Sequence, residues 1–114
     1  PDCRLASMRQ GQGGCGTGAT LPVDSKPDGA SPYGALNMAG NVWEWTLDWH
    51  SEKWSSGSPR QNPTGPSSGH EKISKGGAYL ASGKWALLAC SARNKAEPDL
   101  VASTIGFRCV YDSP

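Results

Sequence analysis

Alternation of apolar and polar positions is clearest between Val42 and Trp49. Trp43, Trp45, Leu47 and Trp49 hold one set of alternate positions, and Val42, Glu44, Thr46 and Asp48 hold the other. Alternate side chains of an extended chain point to opposite faces, so the pattern predicts a strand with one apolar face and one face carrying carboxylates. The tryptophan face is the one expected to build the core. A carboxylate is costly to bury unless it is paired or bound to a metal, so Glu44 and Asp48 among three tryptophans mark either a core strand or a site.

Other segments are weaker in pattern. "KISKGGAYLAS" (72–82) predicts a second strand with a bulge or close backbone approach at Gly76 and Gly77. "WALLACSAR" (85–93) reads as a strand or a buried turn, 95–104 as loop, and "IGFRCVY" (105–111) as a last strand. Upstream, "TLPVD" (20–24) reads as a short edge strand and "SKPDGASPYG" (25–34) as turns, while "GQGGCGTG" (11–18) cannot hold a helix or a strand. "NPTGPSSG" (62–69) is loop, no convincing helix emerges, and no internal repeat is present. Short strands joined by long irregular loops need something to pin the loops, and disulfides or calcium are the usual devices.

Composition narrows the class. A chain of 114 residues fits one domain. Fifteen glycines and nine prolines accompany a low apolar share of 36%, yet five tryptophans argue for a folded, loop-rich domain over disorder. Eleven basic and ten acidic residues are dispersed along the chain, so neither a nucleic-acid footprint nor a polybasic membrane patch is indicated. The longest apolar run, Trp85 to Cys90, is far too short to span a bilayer. With Pro1 first and no initiator methionine, the chain is expected to be a processed product or a piece of something longer.

Cys3, Cys15, Cys90 and Cys109 allow three pairings, among which sequence alone does not choose. Local pairs would each contribute roughly 3 kcal/mol through the entropy of the unfolded chain. No C-x-x-C spacing supports zinc. Disulfides favour an extracytoplasmic compartment, periplasmic or secreted; free structural cysteines are the alternative.

"GALNMAGNVWEWTLDW", "NPTGP", "KGGAY", "SAR", "PD" and "IGFRC" stand in an order and spacing that resembles the formylglycine-generating-enzyme, or sulfatase-modifying-factor, family. The resemblance covers roughly residues 31–111, with residues 1–30 matching only loosely through "TLPVDSKPDG". It implies an α+β domain of low regular structure, a variant of the C-type lectin fold. The family domain is longer, so residues 1–114 read as a single partial domain: a loop-rich segment 1–30 and a core 31–111. The chain would then be a minimal version, a fragment, or half of a two-chain assembly.

The resemblance also carries a calcium site onto the opening strand. Asn37 and Glu44 would supply side-chain oxygens, and Gly40 and Val42 backbone carbonyls. The competing reading has Asn37 capping the turn and Glu44 pairing with Arg93 or Arg108. Active oxidases of the family use two cysteines that activate oxygen through copper(I) and convert a substrate cysteine to formylglycine. Those positions correspond to Ala81 and Ala86 here, the active-site serine to Ala78, and no cysteine lies between Tyr79 and Cys90. Copper and oxidase chemistry are therefore not expected. Cys90 and Cys109 match positions of structural disulfides that run to cysteines nearer the N-terminus, which adds weight to pairings with Cys3 or Cys15. His50 and His70 read as solvated loop residues.

Binding remains. The counterpart of the lost active site would be lined by residues 78–85 and 94–104, with Trp54, Tyr79, Ser82, Lys84, Trp85 and Asn94 as candidate contacts. The leading expectation is a catalytically silent, calcium-stabilised binding or structural subunit with a protein partner or companion chain. The alternative is an enzyme subunit whose chemistry comes from a missing segment or partner chain.

Overall fold

Strand β1 (Trp43–Trp49) forms where the alternation predicts it and is central to a four-stranded mixed sheet. The computed structural model describes residues 2–9, 15, 18–53, 61, 65–81 and 85–110. Strand β2 (Lys72–Lys75) pairs antiparallel with β1, β3 (Asn94–Ala96) antiparallel with β2, and β4 (Ile105–Gly106) parallel with β1, giving the order β3-β2-β1-β4. Trp45 faces Ser74 and Trp49 faces Lys72, so four steps along β1 oppose two along β2. Thr46 stitches this irregularity: its hydroxyl donates to the Ile73 carbonyl at 3.2 Å and accepts from the Asp48 amide at 3.3 Å.

Strand β2 stops at Gly76 and Gly77, with φ of +93° and +77°. A Cβ on Gly77 would lie 2.6 Å from Leu88 Cδ2, so the close approach expected from the sequence is made by the short 3-10 turn Trp85–Leu88. That turn settles the 85–93 segment as turn. Other expectations need correction. Residues 20–24 form no strand, because the backbone around Leu21 and Val23 bonds instead to the side chains of Asn41 and Asn37. Asn94–Ala96 pairs with β2 where loop was expected from residue 95, and the last strand shrinks to Ile105–Gly106.

The core is not where the tryptophans are. Ala6, Met8, Ile73 and Ala78 are the buried apolar residues among those described, together with Ser7, Asn37, Asn41 and Ser74. Trp43, Trp45 and Trp49 are only half-buried and Leu47 is 86% exposed. The register explains this: the β2 residues opposite Trp45 and Trp49 are Ser74 and Lys72, which give that face no apolar layer. The Lys72 ammonium lies 4.1 Å from the centre of the Trp49 ring, a cation–π contact in place of packing. Ile73 sits on the opposite face, shared with Glu44. The largest fully buried side chain, Met8, comes from the N-terminal stretch, which the sequence reads as loop with few large apolar residues.

Cys3 and Cys15 form a disulfide across 12 residues, with Cα atoms 4.9 Å apart. Cys90 and Cys109 are exposed free thiols. The crossed pairings to the N-terminal segment therefore do not form, since both N-terminal cysteines are bonded to each other.

Gly40 (φ +80°) lies against Ser7: a Cβ there would sit 2.1 Å from the Ser7 carbonyl oxygen, whereas one on Gly34, also at +80°, would meet nothing. Gly34→Ala should cost about 1 kcal/mol in urea unfolding from backbone strain alone, and Gly40→Ala about 3 kcal/mol because the clash adds to it. Equal costs would mean that the Ser7–Gly40 contact is dispensable. Alkylation without reductant should label Cys90 and Cys109 only. Removing the Cys3–Cys15 bond should lower stability by about 3 kcal/mol, measured on the Cys3→Ser/Cys15→Ser double variant.

Candidate functional site

The loop entering β1 has an unusual backbone. Asn37, Gly40 and Asn41 take φ of +52°, +80° and +66°. Asparagine is among the few residues other than glycine that tolerate this region, so the "N-M-A-G-N" spelling suits a tight winding at these positions. The winding directs polar groups to three other segments. The Gly40 amide donates to the Gly76 carbonyl at 2.7 Å, Asn41 N to Ser7 O at 2.8 Å, and Tyr79 N to Asn41 O at 2.8 Å. The Asn41 side chain bonds both the amide and the carbonyl of Leu21, at 2.9 and 3.2 Å, and Asn37 Nδ2 donates to Val23 O at 2.6 Å.

Beside this loop lies an ion pair. Arg108 Nε and Nη2 donate to Glu44 Oε2 and Oε1, each at 2.5 Å, in a two-pronged fork. Nη2 also donates to the carbonyls of Leu36 at 3.0 Å and Asn37 at 3.3 Å. The register makes this possible: Glu44 stands opposite Gly106 in the parallel β1–β4 pair, which brings residue 108 alongside the carboxylate. Both side chains are partly buried, and the Glu44 hydrogen bond raises the Arg108 pKa further above its usual range, against a smaller opposing effect of desolvation. Of the two arginines expected as partners for Glu44, Arg108 is the one used; Arg93 is exposed and bonds the Ser91 carbonyl.

One atom in the loop has no partner. Asn37 is buried, and its Oδ1 accepts no hydrogen bond, although Nδ2 of the same amide is fixed on Val23 O. A buried acceptor left unpaired costs about 1–3 kcal/mol, so it calls for an occupant. A Cβ on Gly76 would lie 3.3 Å from the Met38 carbonyl oxygen and 3.9 Å from that of Val42, so the glycine lets the backbone approach these oxygens. Asn37 Oδ1, the Gly40 and Val42 carbonyls and the Glu44 carboxylate, the groups that the family resemblance assigns, are all hard oxygen donors. That set fits calcium by its chemistry. Among the described residues no group of three His, Cys, Asp or Glu side chains converges.

The remaining candidate residues are divided. Ala78 is buried, and Ala81 is held by hydrogen bonds from its amide to Ala78 O and from Arg9 N to its carbonyl. The Tyr79 hydroxyl lies 3.4 Å from Ser103 Oγ, which brings the 78–85 and 94–104 stretches together. Asn94 instead turns into the sheet, with Nδ2 donating to Ser74 Oγ at 3.1 Å. Trp54, Ser82 and Lys84 lie outside the described residues, as does the Trp85 side chain. His70 is exposed, and His50 Nδ1 lies 3.7 Å from Glu71, which also pairs with Lys95 at 2.9 Å.

Two features escaped the sequence reading. Asn41 is a structural hub, signalled only by the Gly-Asn step before the strand. A cleft of about 360 Å³ between residues 2–8, 28–30, Ala39 and Leu88 is walled by Leu5, Met8 and Leu88, with Asp2 and Asp28 in its lining. The fork from Arg4 holds the Asp2 carboxyl at about 2, so it is fully charged and already paired at neutral pH.

Residues 6–113 match the Sulfatase-modifying factor enzyme 1-like domain. The formylglycine-generating enzyme of Mus musculus is 43% identical over 94 residues, covering 82% of this chain and 24% of that protein. That of Streptomyces coelicolor is 38% identical over 97 residues, covering 83% and 30%. Among solved structures, Treponema denticola variable protein 1 superposes with a TM-score of 0.70 at 29% identity, over 91% of this chain and 34% of that one. PvdO from Pseudomonas aeruginosa shares the fold with a TM-score of 0.74 at 22% identity, over 93% and 38%. The chain thus spans roughly a quarter to a third of the length of the curated enzymes.

The fork makes a quantitative demand. A double-mutant cycle of Glu44→Gln and Arg108→Gln, read by urea unfolding, should give a coupling of about 1–2 kcal/mol, above the value for exposed ion pairs. A coupling near zero would remove the pair from the account of the fold.

Proposed function

Because the chain belongs to the formylglycine-generating-enzyme family, we propose that it is a catalytically silent member of it, stabilised by calcium, that acts as a binding or structural subunit. The observation that carries this reading is the alanine at each position where the family resemblance puts a reactive cysteine, Ala81 and Ala86, with Ala78 in place of the serine. Thiolate chemistry needs sulfur, and Cys90 and Cys109 lie elsewhere in the chain as exposed thiols.

One feature supports the binding role. The tryptophan face of the sheet is only half covered, with Leu47 at 86% exposure. A companion polypeptide resting on that face would cover it. The Cys3–Cys15 disulfide supports an extracytoplasmic setting. No helix among the described residues is long and apolar enough to cross a membrane. Calcium is supported by the oxygen donor set around Asn37 and by the unpaired Asn37 Oδ1.

The second reading is an enzyme subunit of the family whose chemistry is supplied by a missing segment or a partner chain. A peptide containing Cys-x-Pro-x-Arg, incubated with the protein and copper(I) under oxygen, should yield no aldehyde by mass spectrometry. Turnover by this chain alone would overturn the silent reading, and turnover that appears only with a companion would favour the subunit reading. Thermal melting should fall by several degrees in chelator and recover with calcium.

A further inference from the structure

The unpaired Asn37 oxygen lies in the loop that enters β1 and the Glu44 carboxylate lies in β1 itself, seven residues on, so nothing in β1 alone holds them at a fixed separation. Arg108 touches both sides. Its Nε and Nη2 grip the two Glu44 oxygens, and Nη2 reaches the carbonyls of Leu36 and Asn37. These contacts span 64 to 72 residues of sequence, so only the folded sheet can make them. At the far side, Asn37 Nδ2 is anchored on Val23 O, which leaves Oδ1 as the free end of a fixed amide.

We propose that Arg108 is a positioning residue for the cation site, clamping the Asn37 turn against Glu44 so that their oxygens face one ion. The proposal rests on the calcium reading given above. The chemistry of the clamp is specific to arginine. A guanidinium reaches a carboxylate and two carbonyls in one plane, whereas a lysine ammonium is a point charge on a flexible stem and cannot hold that fork. Glu44 keeps lone pairs beyond the two that accept from Arg108, so pairing with the arginine and ligation of an ion are compatible. The opposite arrangement is that Arg108 is a resident cation occupying Glu44 in place of a metal; its removal would then strengthen metal binding. The carbonyl contacts favour the clamp, because a simple counter-ion for Glu44 has no reason to engage Leu36 and Asn37.

Terbium is a luminescent trivalent substitute for calcium, and Trp43 and Trp45 flank Glu44 closely enough in sequence to sensitise it. The test titrates the 114-residue chain with terbium under tryptophan excitation, with calcium as competitor, for the wild type, Arg108→Lys and Arg108→Gln. Exposed Arg93→Lys serves as control, and circular dichroism confirms folding. The expected result is calcium-displaceable luminescence in the wild type and in the control, with affinity at least tenfold weaker in both Arg108 variants. Arg108→Lys keeps the positive charge and is the informative variant should Arg108→Gln fail to fold. Wild-type affinity in a folded Arg108→Lys protein overturns the clamp, and tighter binding there assigns Arg108 as the resident cation. Wild-type protein that gives no calcium-displaceable luminescence overturns the calcium reading itself, and the clamp with it.

Discussion

The fork between Arg108 and Glu44 is the contact on which the rest of this small structure depends. It joins Arg108, two residues past the last strand, to Glu44, the second residue of β1, and, through the same guanidinium, to the loop that enters β1. Strand β4 is two residues long and pairs only with Trp43 and Glu44. Two ladder residues cannot fix a strand by hydrogen bonding alone, so the side-chain anchor supplies much of what holds the C-terminal segment in place. Being partly buried, this two-pronged pair is less screened by water than the exposed pair of Arg4 and Asp2 at the N-terminus.

Around that anchor, polar groups do the work that a hydrophobic core does in larger domains. Four apolar residues are fully buried among those described, and two of them are alanine. Asn41 binds Leu21 as a second strand would, through one donor and one acceptor, and its backbone carries Ser7 and Tyr79. The loops are pinned by amides, by glycines that permit close approach at Gly40 and Gly77, and by the Cys3–Cys15 bond. Such a fold buries little apolar area, so its stability leans on satisfied hydrogen bonds and on covalent or ionic staples. An unpaired buried oxygen at Asn37 stands out in this setting.

The arrangement also separates scaffold from chemistry. The tryptophan-rich segment and the Glu44 fork are scaffold, and they sit close to the most strained part of the backbone at Asn37 to Asn41. The stretch from Ala78 to Ala81 is tied to Asn41 and to Arg9 by its backbone, and it carries methyl side chains at residues 78 and 81. Backbone bonds are indifferent to which side chain stands there.

Several of these features are legible in the residues alone. The alternation from Val42 to Trp49 gives β1, the paired glycines give the end of β2, and the spelling of the loop and of "GFRC" gives the family and both partners of the fork, Glu44 and Arg108, as possibilities. Periodicity reports which side chains share a face, but not which face is covered. Covering depends on what lies opposite, and here Ser74 and Lys72 oppose two tryptophans while Met8 and Ala6 arrive from a segment with no apolar period. The choice among cysteine pairings, the hub at Asn41 and the selection of Arg108 over Arg93 were likewise decided by distance in the folded chain. Each joins positions whose separation in sequence carries no pattern, so only the tertiary structure brings them together.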